Sequence, residues 1–247
     1  MKRLALPSQV GLRVVSRNAR PTRRSVPIRH WQPVGTALTP PSGMKGSTRL
    51  SGKRPKMKKE KAMQWLNEPS QWSAEDGVLT VIADAGTDFW RTTGNGSVRD
   101  NGHLYGEALV GDFELSMRMR GSYADQYDQS GAMVRIDDRH WLKTGIEYFE
   151  GRRRFSTVIT FEYSSWAIAE LPPQTEELRL LVIRHGDAID VRYALDDGPD
   201  ELAAIAYLPP HDEALAGAMC AAPEGNGFPV TFYDLAIRPL DRLATWA

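Results

Sequence analysis

The sequence predicts an all-β protein built as an antiparallel sandwich or barrel. Three observations carry that reading. From Gly77 onward, short runs alternate apolar and polar residues or are rich in branched side chains. Gly, Asp and Asn bound those runs, and long amphipathic helices are absent.

Taken in order, AMQWLN (62–67) predicts a short helix and GVLTVIAD (77–84) a first strand. TDFWRTTGNGSVRDNGH (87–103) is rich in Gly and Asn and predicts a loop, in which Asp88 and Asn101 stabilise turns and Trp90 either plugs the core or walls a groove. Strands follow at DFELSMRMRG (112–121), GAMVRIDD (131–138), WLKTGIEYFEG (141–151), RFSTVITFE (154–162), ELRLLVIRHGD (177–187), AIDVRYALDDG (188–198), LAAIAYLP (202–209) and FPVTFYDLAIRP (228–239). Between them IDDRH, FEGRR, RHGDA and LDDGPD place Asp or Gly where tight turns need them. LDRLATW near the end predicts a second short helix.

Charge divides the chain. Of 31 basic residues, thirteen lie in 1–56, where no Asp or Glu occurs, so 57–247 carries 18 basic against 31 acidic side chains, a net −13. Seven prolines and scattered Ser and Gly in 1–56 predict a disordered basic tail; 57–247 shows no composition break and is expected to be one domain. Three explanations of the tail compete: an organellar transit segment, a solvated basic tail, or an over-extended start before Met57 or Met63, which is the favoured one. The Arg23–Arg24 pair lacks the apolar stretch that an export signal needs.

A body this acidic repels phosphates, which argues against nucleic acid or an anionic membrane as its partner. No apolar run approaches the roughly 18 residues of a membrane span. A single cysteine, Cys220, allows no intrachain disulfide and fits a reducing, cytoplasmic setting. Its small apolar neighbours predict a buried, inert thiol.

The ordered blocks QWLNEP (64–69), TDFW (87–90), RDNGH (99–103), YDQSGAMVR (127–135), WLKTGIEY (141–148), FSTVIT (155–160), SSW (164–166) and GDAIDVRYALDDG (186–198) resemble the domain-of-unknown-function 1349 family. That regulation-of-enolase-like family is placed in the concanavalin A-like lectin/glucanase superfamily. The resemblance covers nearly all of 63–239. It implies a jelly-roll β-sandwich of two antiparallel sheets, one concave, and no established catalytic activity. In this superfamily saccharides usually bind the concave face.

Strand parity supplies candidate site residues. Successive side chains point to opposite faces, so Ala132, Val134, Ile136, Leu142, Thr144, Ile146 and Tyr148 form the core-facing set of one hairpin turning at IDDRH. The opposite face then presents Gln129, Arg135, Trp141, Lys143 and Glu147 together, with Trp90, Arg99 and His103 contributed by the loop. An aromatic ring beside hydrogen-bonding groups suits a sugar, whose C–H face stacks while its hydroxyls bond to Gln, Arg and Glu. A solvated ladder of ion pairs is the bland alternative.

The leading expectation is therefore a non-catalytic module that binds a saccharide or similar polyhydroxylated small molecule. Glycosidases of the superfamily commonly set their carboxyls in a Glu-x-Asp-x-x-Glu cluster, which is missing here; an enzyme would have to use Glu147 with a loop acid such as Asp100. A protein-interaction module acting on metabolism is the third expectation. No cofactor is expected, because Gly94–Asn95–Gly96 lacks a strand-to-helix context for phosphate, and no metal, because the histidines are widely separated. Asp125 and Asp128 read as turn formers, and the Arg152, Arg153 and Arg154 run as a solvated hairpin tip.

Overall fold

A computed structural model describes residues 62–211 and 213–240. The tail at 1–56 and all but the first residue of LDRLATW lie outside the described residues. Those residues form two seven-stranded antiparallel sheets, a β-sandwich.

The front sheet orders β1 (Gln64–Leu66), β6 (His103–Leu109), β15 (Ala214–Ala221), β8 (Gln129–Arg135), β9 (His140–Phe149), β10 (Arg152–Phe161) and β11 (Tyr163–Glu170). The back sheet orders β14 (Glu201–Tyr207), β13 (Ala188–Leu195), β12 (Leu178–His185), β7 (Phe113–Gly121), β16 (Phe228–Pro239), β3 (Val78–Ala83) and β2 (Gln71–Glu75). A separate two-stranded ribbon, β4 (Phe89–Arg91) with β5 (Val98–Asp100), lies within the segment expected to be a loop.

Back-sheet strands behave as half-buried strands should. FELSMRM and LRLLVIRH bury every second residue, so Leu115, Met117, Met119, Leu180 and Val182 face inward. They meet Val134, Leu142 and Ile146 of the front sheet, and at about 25 cal/mol per Å² of apolar surface this interior is the main stabilising term.

Three front strands differ. β8, β9 and β15 bury nearly every residue, on both faces. The reason is a second apolar cluster on the sheet's outer face, where Leu104, Met133, Trp141, Val158 and Met219 pack under Phe89 of β4. The ribbon is a lid over the front sheet. It is fastened by Arg135 Nη2 donating to Asp100 Oδ2 at 2.6 Å, and by Ser164 Oγ accepting the Arg91 N–H at 2.9 Å.

The expected helix at 62–67 is corrected to strand β1, whose residues pair with Leu104–Gly106. The Trp65 and Tyr105 rings, 4.9 Å apart, make tertiary pairing outweigh local helical preference. The IDDRH turn forms as expected: the Asp137 carboxylate accepts the backbone N–H groups of Arg139 and His140. Asp128 likewise closes a turn, its Oδ2 accepting from the backbone of Ala124 and Asp125. Cys220 is buried at the front-sheet core, and burial pushes its thiol well above the ordinary range.

Candidate functional site

The β8–β9 register aligns Gln129 with Glu147, Gly131 with Gly145, Met133 with Lys143 and Arg135 with Trp141. The expected set therefore does share one face, but the lid divides it. Met133 and Trp141 lie beneath the lid, while Gln129, Lys143 and Glu147 emerge at its edge. There a pocket of about 280 Å³ opens, walled by Trp90, Asn95, Ser97 and Arg99 of the lid, Trp166 of β11, and Tyr127, Pro223 and Glu224 of neighbouring loops.

Each floor group is fixed. Lys143 reaches through the sheet–lid boundary with only 5 % of its side chain exposed. Its Nζ donates to the Phe89 carbonyl at 2.6 Å and to Asp88 Oδ1 at 3.1 Å. The same Asp88 oxygen accepts the Phe89 N–H at 2.7 Å and Gln129 Nε2 at 3.3 Å. A buried ion pair recovers its desolvation cost only when extra hydrogen bonds complete it, and this one has them. Gln129 Nε2 also donates to the Tyr127 carbonyl, 3.1 Å away.

Glu147 is buried, and its Oε2 accepts from Ser156 Oγ at 2.6 Å and from the Trp166 indole at 2.9 Å. Burial holds its carboxyl above the ordinary range, against the opposing pull of the Lys143 ammonium and of those two hydrogen bonds. Trp166 is itself braced edge-on by Phe149 at 4.9 Å and by Tyr127 at 6.3 Å. Trp90 is held by its indole N–H donating to the Thr93 carbonyl, and Arg99 by donation to the Pro223 carbonyl.

Three expected residues sit elsewhere. Trp141 is 1 % exposed, its ring 6.2 Å from Phe89, so it is lid-covered core rather than pocket wall. Arg135 is committed to Asp100 and anchors the lid. His103 is buried between Asn67 and Asp84; its Nδ1 donates to the Asn67 carbonyl at 2.7 Å and its Nε2 accepts the Asp84 N–H, which makes it a structural clamp. The loop acid that lines the pocket with Glu147 is Asp88, because Asp100 is spent on Arg135. Asp88 does make the backbone contacts of a turn former, its carbonyl accepting the Asn101 and Gly102 N–H groups and its own N–H donating to Asn101 Oδ1, yet its carboxylate also meets Lys143.

Sequence reasoning missed Asp88, Tyr127 and Trp166 as pocket residues. For Trp166 the cue is structural: the β11 register places it beside Val158 on the same outer face. The Arg152, Arg153 and Arg154 run is only partly a solvated tip. Arg152 is exposed, whereas Arg153 donates to the Thr175 carbonyl at 2.6 Å and Arg154 to Glu170 at 3.0 Å. Among the described residues no group of three or more His, Cys, Asp or Glu is placed to hold a metal ion.

Residues 65–240 match the family described as "Protein of unknown function (DUF1349)". The chain is 38% identical over 173 residues to "Regulation of enolase protein 1" of Saccharomyces cerevisiae, covering 70% of this chain and 87% of that protein. A crystal structure of a functionally unknown protein from Saccharomyces cerevisiae superposes with a TM-score of 0.69 at 37% identity, covering 72% of this chain and 97% of that one. A xylan β-1,4-xylosidase from Bacillus halodurans superposes at a TM-score of 0.54 with 10% identity, over 69% of this chain and 35% of the enzyme, a likeness of fold alone.

Proposed function

For this chain, which belongs to the DUF1349 family, we propose a non-catalytic binding module for a saccharide or similar polyhydroxylated small molecule, held in the pocket at the lid edge. One observation carries the reading: Trp90 and Trp166 line the same small pocket as Asp88, Lys143, Gln129 and Glu147. Indole faces accept the C–H side of a sugar ring, and fixed carboxylates accept its hydroxyls. About 280 Å³ is close to the lower end for ligand pockets, a size for one or two sugar rings. Gln129, Lys143 and Glu147 are fixed by hydrogen bonds before a ligand arrives, so little ordering entropy opposes binding.

Calorimetry with a panel of mono- and disaccharides tests this. Binding with Kd on the order of 1 mM or tighter is expected, lost in Trp90→Ala while the thermal midpoint stays within a few degrees. No heat with any sugar, confirmed by unperturbed tryptophan fluorescence, would sink the reading.

A second reading has its own observation. Glu147, raised by burial, faces the same cavity as the lysine-paired Asp88, and two carboxyls in different environments are the equipment of glycoside hydrolysis. Release of nitrophenol from aryl-glycosides, abolished by Glu147→Gln, would favour it over simple binding.

A further inference from the structure

The pocket floor is unbalanced in hydrogen-bonding capacity. All but one of its donors are consumed within the protein: both Gln129 Nε2 hydrogens have acceptors, the Trp166 indole is spent on Glu147, and two of the three Lys143 hydrogens are taken. Its acceptors are not. Donors to Glu147 converge on Oε2 and those to Asp88 on Oδ1. Among the described residues, Glu147 Oε1 and Asp88 Oδ2 receive no hydrogen bond. Each such oxygen offers two lone pairs. Lys143 neutralises one of the two carboxylates, which leaves the floor one negative charge in excess when Glu147 is ionised. Two indoles, Trp90 and Trp166, wall the same space.

A ligand complementary to this floor brings donors and a positive charge. Neutral hydroxyls supply donors without charge; an ammonium supplies three donors and the charge together, and aromatic faces attract it. Resting on the saccharide reading above, we propose that the ligand is an amino sugar, or a comparably polyhydroxylated amine, whose ammonium group sits between Glu147 and Asp88. Its hydroxyls are left to the lid, where Asn95 and Ser97 line the mouth. Arg99, the other cation lining the pocket, donates to the Pro223 carbonyl, and Glu224, which also lines the pocket, offsets its charge.

The test compares matched triplets by calorimetry on the full chain. Glucosamine, glucose and N-acetylglucosamine are titrated, then the corresponding galacto and manno series. In at least one series the free amine is expected to bind about tenfold tighter than both the hydroxy and the N-acetyl sugar, the scale of one charge-assisted hydrogen bond. Glu147→Gln is expected to erase that preference. Equal or tighter binding of the neutral sugars in every series overturns the amine assignment and leaves the saccharide reading standing. Absence of binding by all nine sugars overturns both. Should Glu147→Gln fail to fold, the nine wild-type titrations decide the matter alone.

Discussion

Glu147 is a carboxyl whose proton affinity and hydrogen bonds pull in opposite directions. Burial raises it above its ordinary 4.5, while Lys143, Ser156 and Trp166 favour the charged form. The native state thus binds the proton more tightly than the unfolded chain, and stability falls as pH rises from the unfolded carboxyl value through the raised native one. Glu147→Gln lacks that slope. Its thermal midpoint relative to the parent is expected to climb as pH increases from about 4.5, and a flat difference would remove the burial argument. Trp141 makes the opposite case. As a lid-covered core residue, its replacement by alanine is expected to cost about 3–5 kcal/mol in urea unfolding. A cost below about 1 kcal/mol would return Trp141 to the surface.

At the scale of elements, the β8–β9 hairpin shows how far parity reasoning reaches. Alternation placed Ala132, Val134, Leu142 and Ile146 in the intersheet core, where they lie. It also placed Gln129, Trp141, Lys143 and Glu147 on one face. Parity is silent on what covers a face. The cover comes from Phe89, upstream in a Gly- and Asn-rich segment whose two strands are three residues each, too short for alternation to show. The same blindness hid β15, whose run ALAGAMCA is buried on both faces and so has no alternation to detect. Glycine is the remaining device in this hairpin. Gly131 and Gly145 oppose each other across β8 and β9 without side chains, and a Cβ on Gly131 would be driven into the Thr144 carbonyl. Backbone at the centre of a sheet cannot step aside cheaply. Gly131→Ala is expected to lower the thermal midpoint by several degrees; a loss below about one degree would show that the close approach does not matter.

Over the whole molecule, charge is the property with no local partner. Residues 57–247 hold 31 acidic and 18 basic side chains, and an excess of thirteen negative charges repels itself across the compact state. Surface pairs such as Arg139–Glu162 at 3.3 Å and Arg179–Asp200 at 3.0 Å act against this, but each contributes only about 0–1 kcal/mol. Salt weakens both, and the buried Lys143–Asp88 pair scarcely at all. Repulsion spread over the surface outweighs a few exposed pairs, so screening favours the folded form. All sixteen described strands lie within residues 64–239, so a chain beginning at Met57 is expected to unfold in one cooperative step. Its urea midpoint should rise as sodium chloride increases from about 0.02 to about 0.3 M, as the Debye length shrinks toward the spacing of surface charges. Acidification toward the ordinary glutamate value of 4.5 should raise it as well, through the Glu147 proton. A midpoint that falls with salt would mean that the ion pairs, not the net charge, govern the stability of this sandwich.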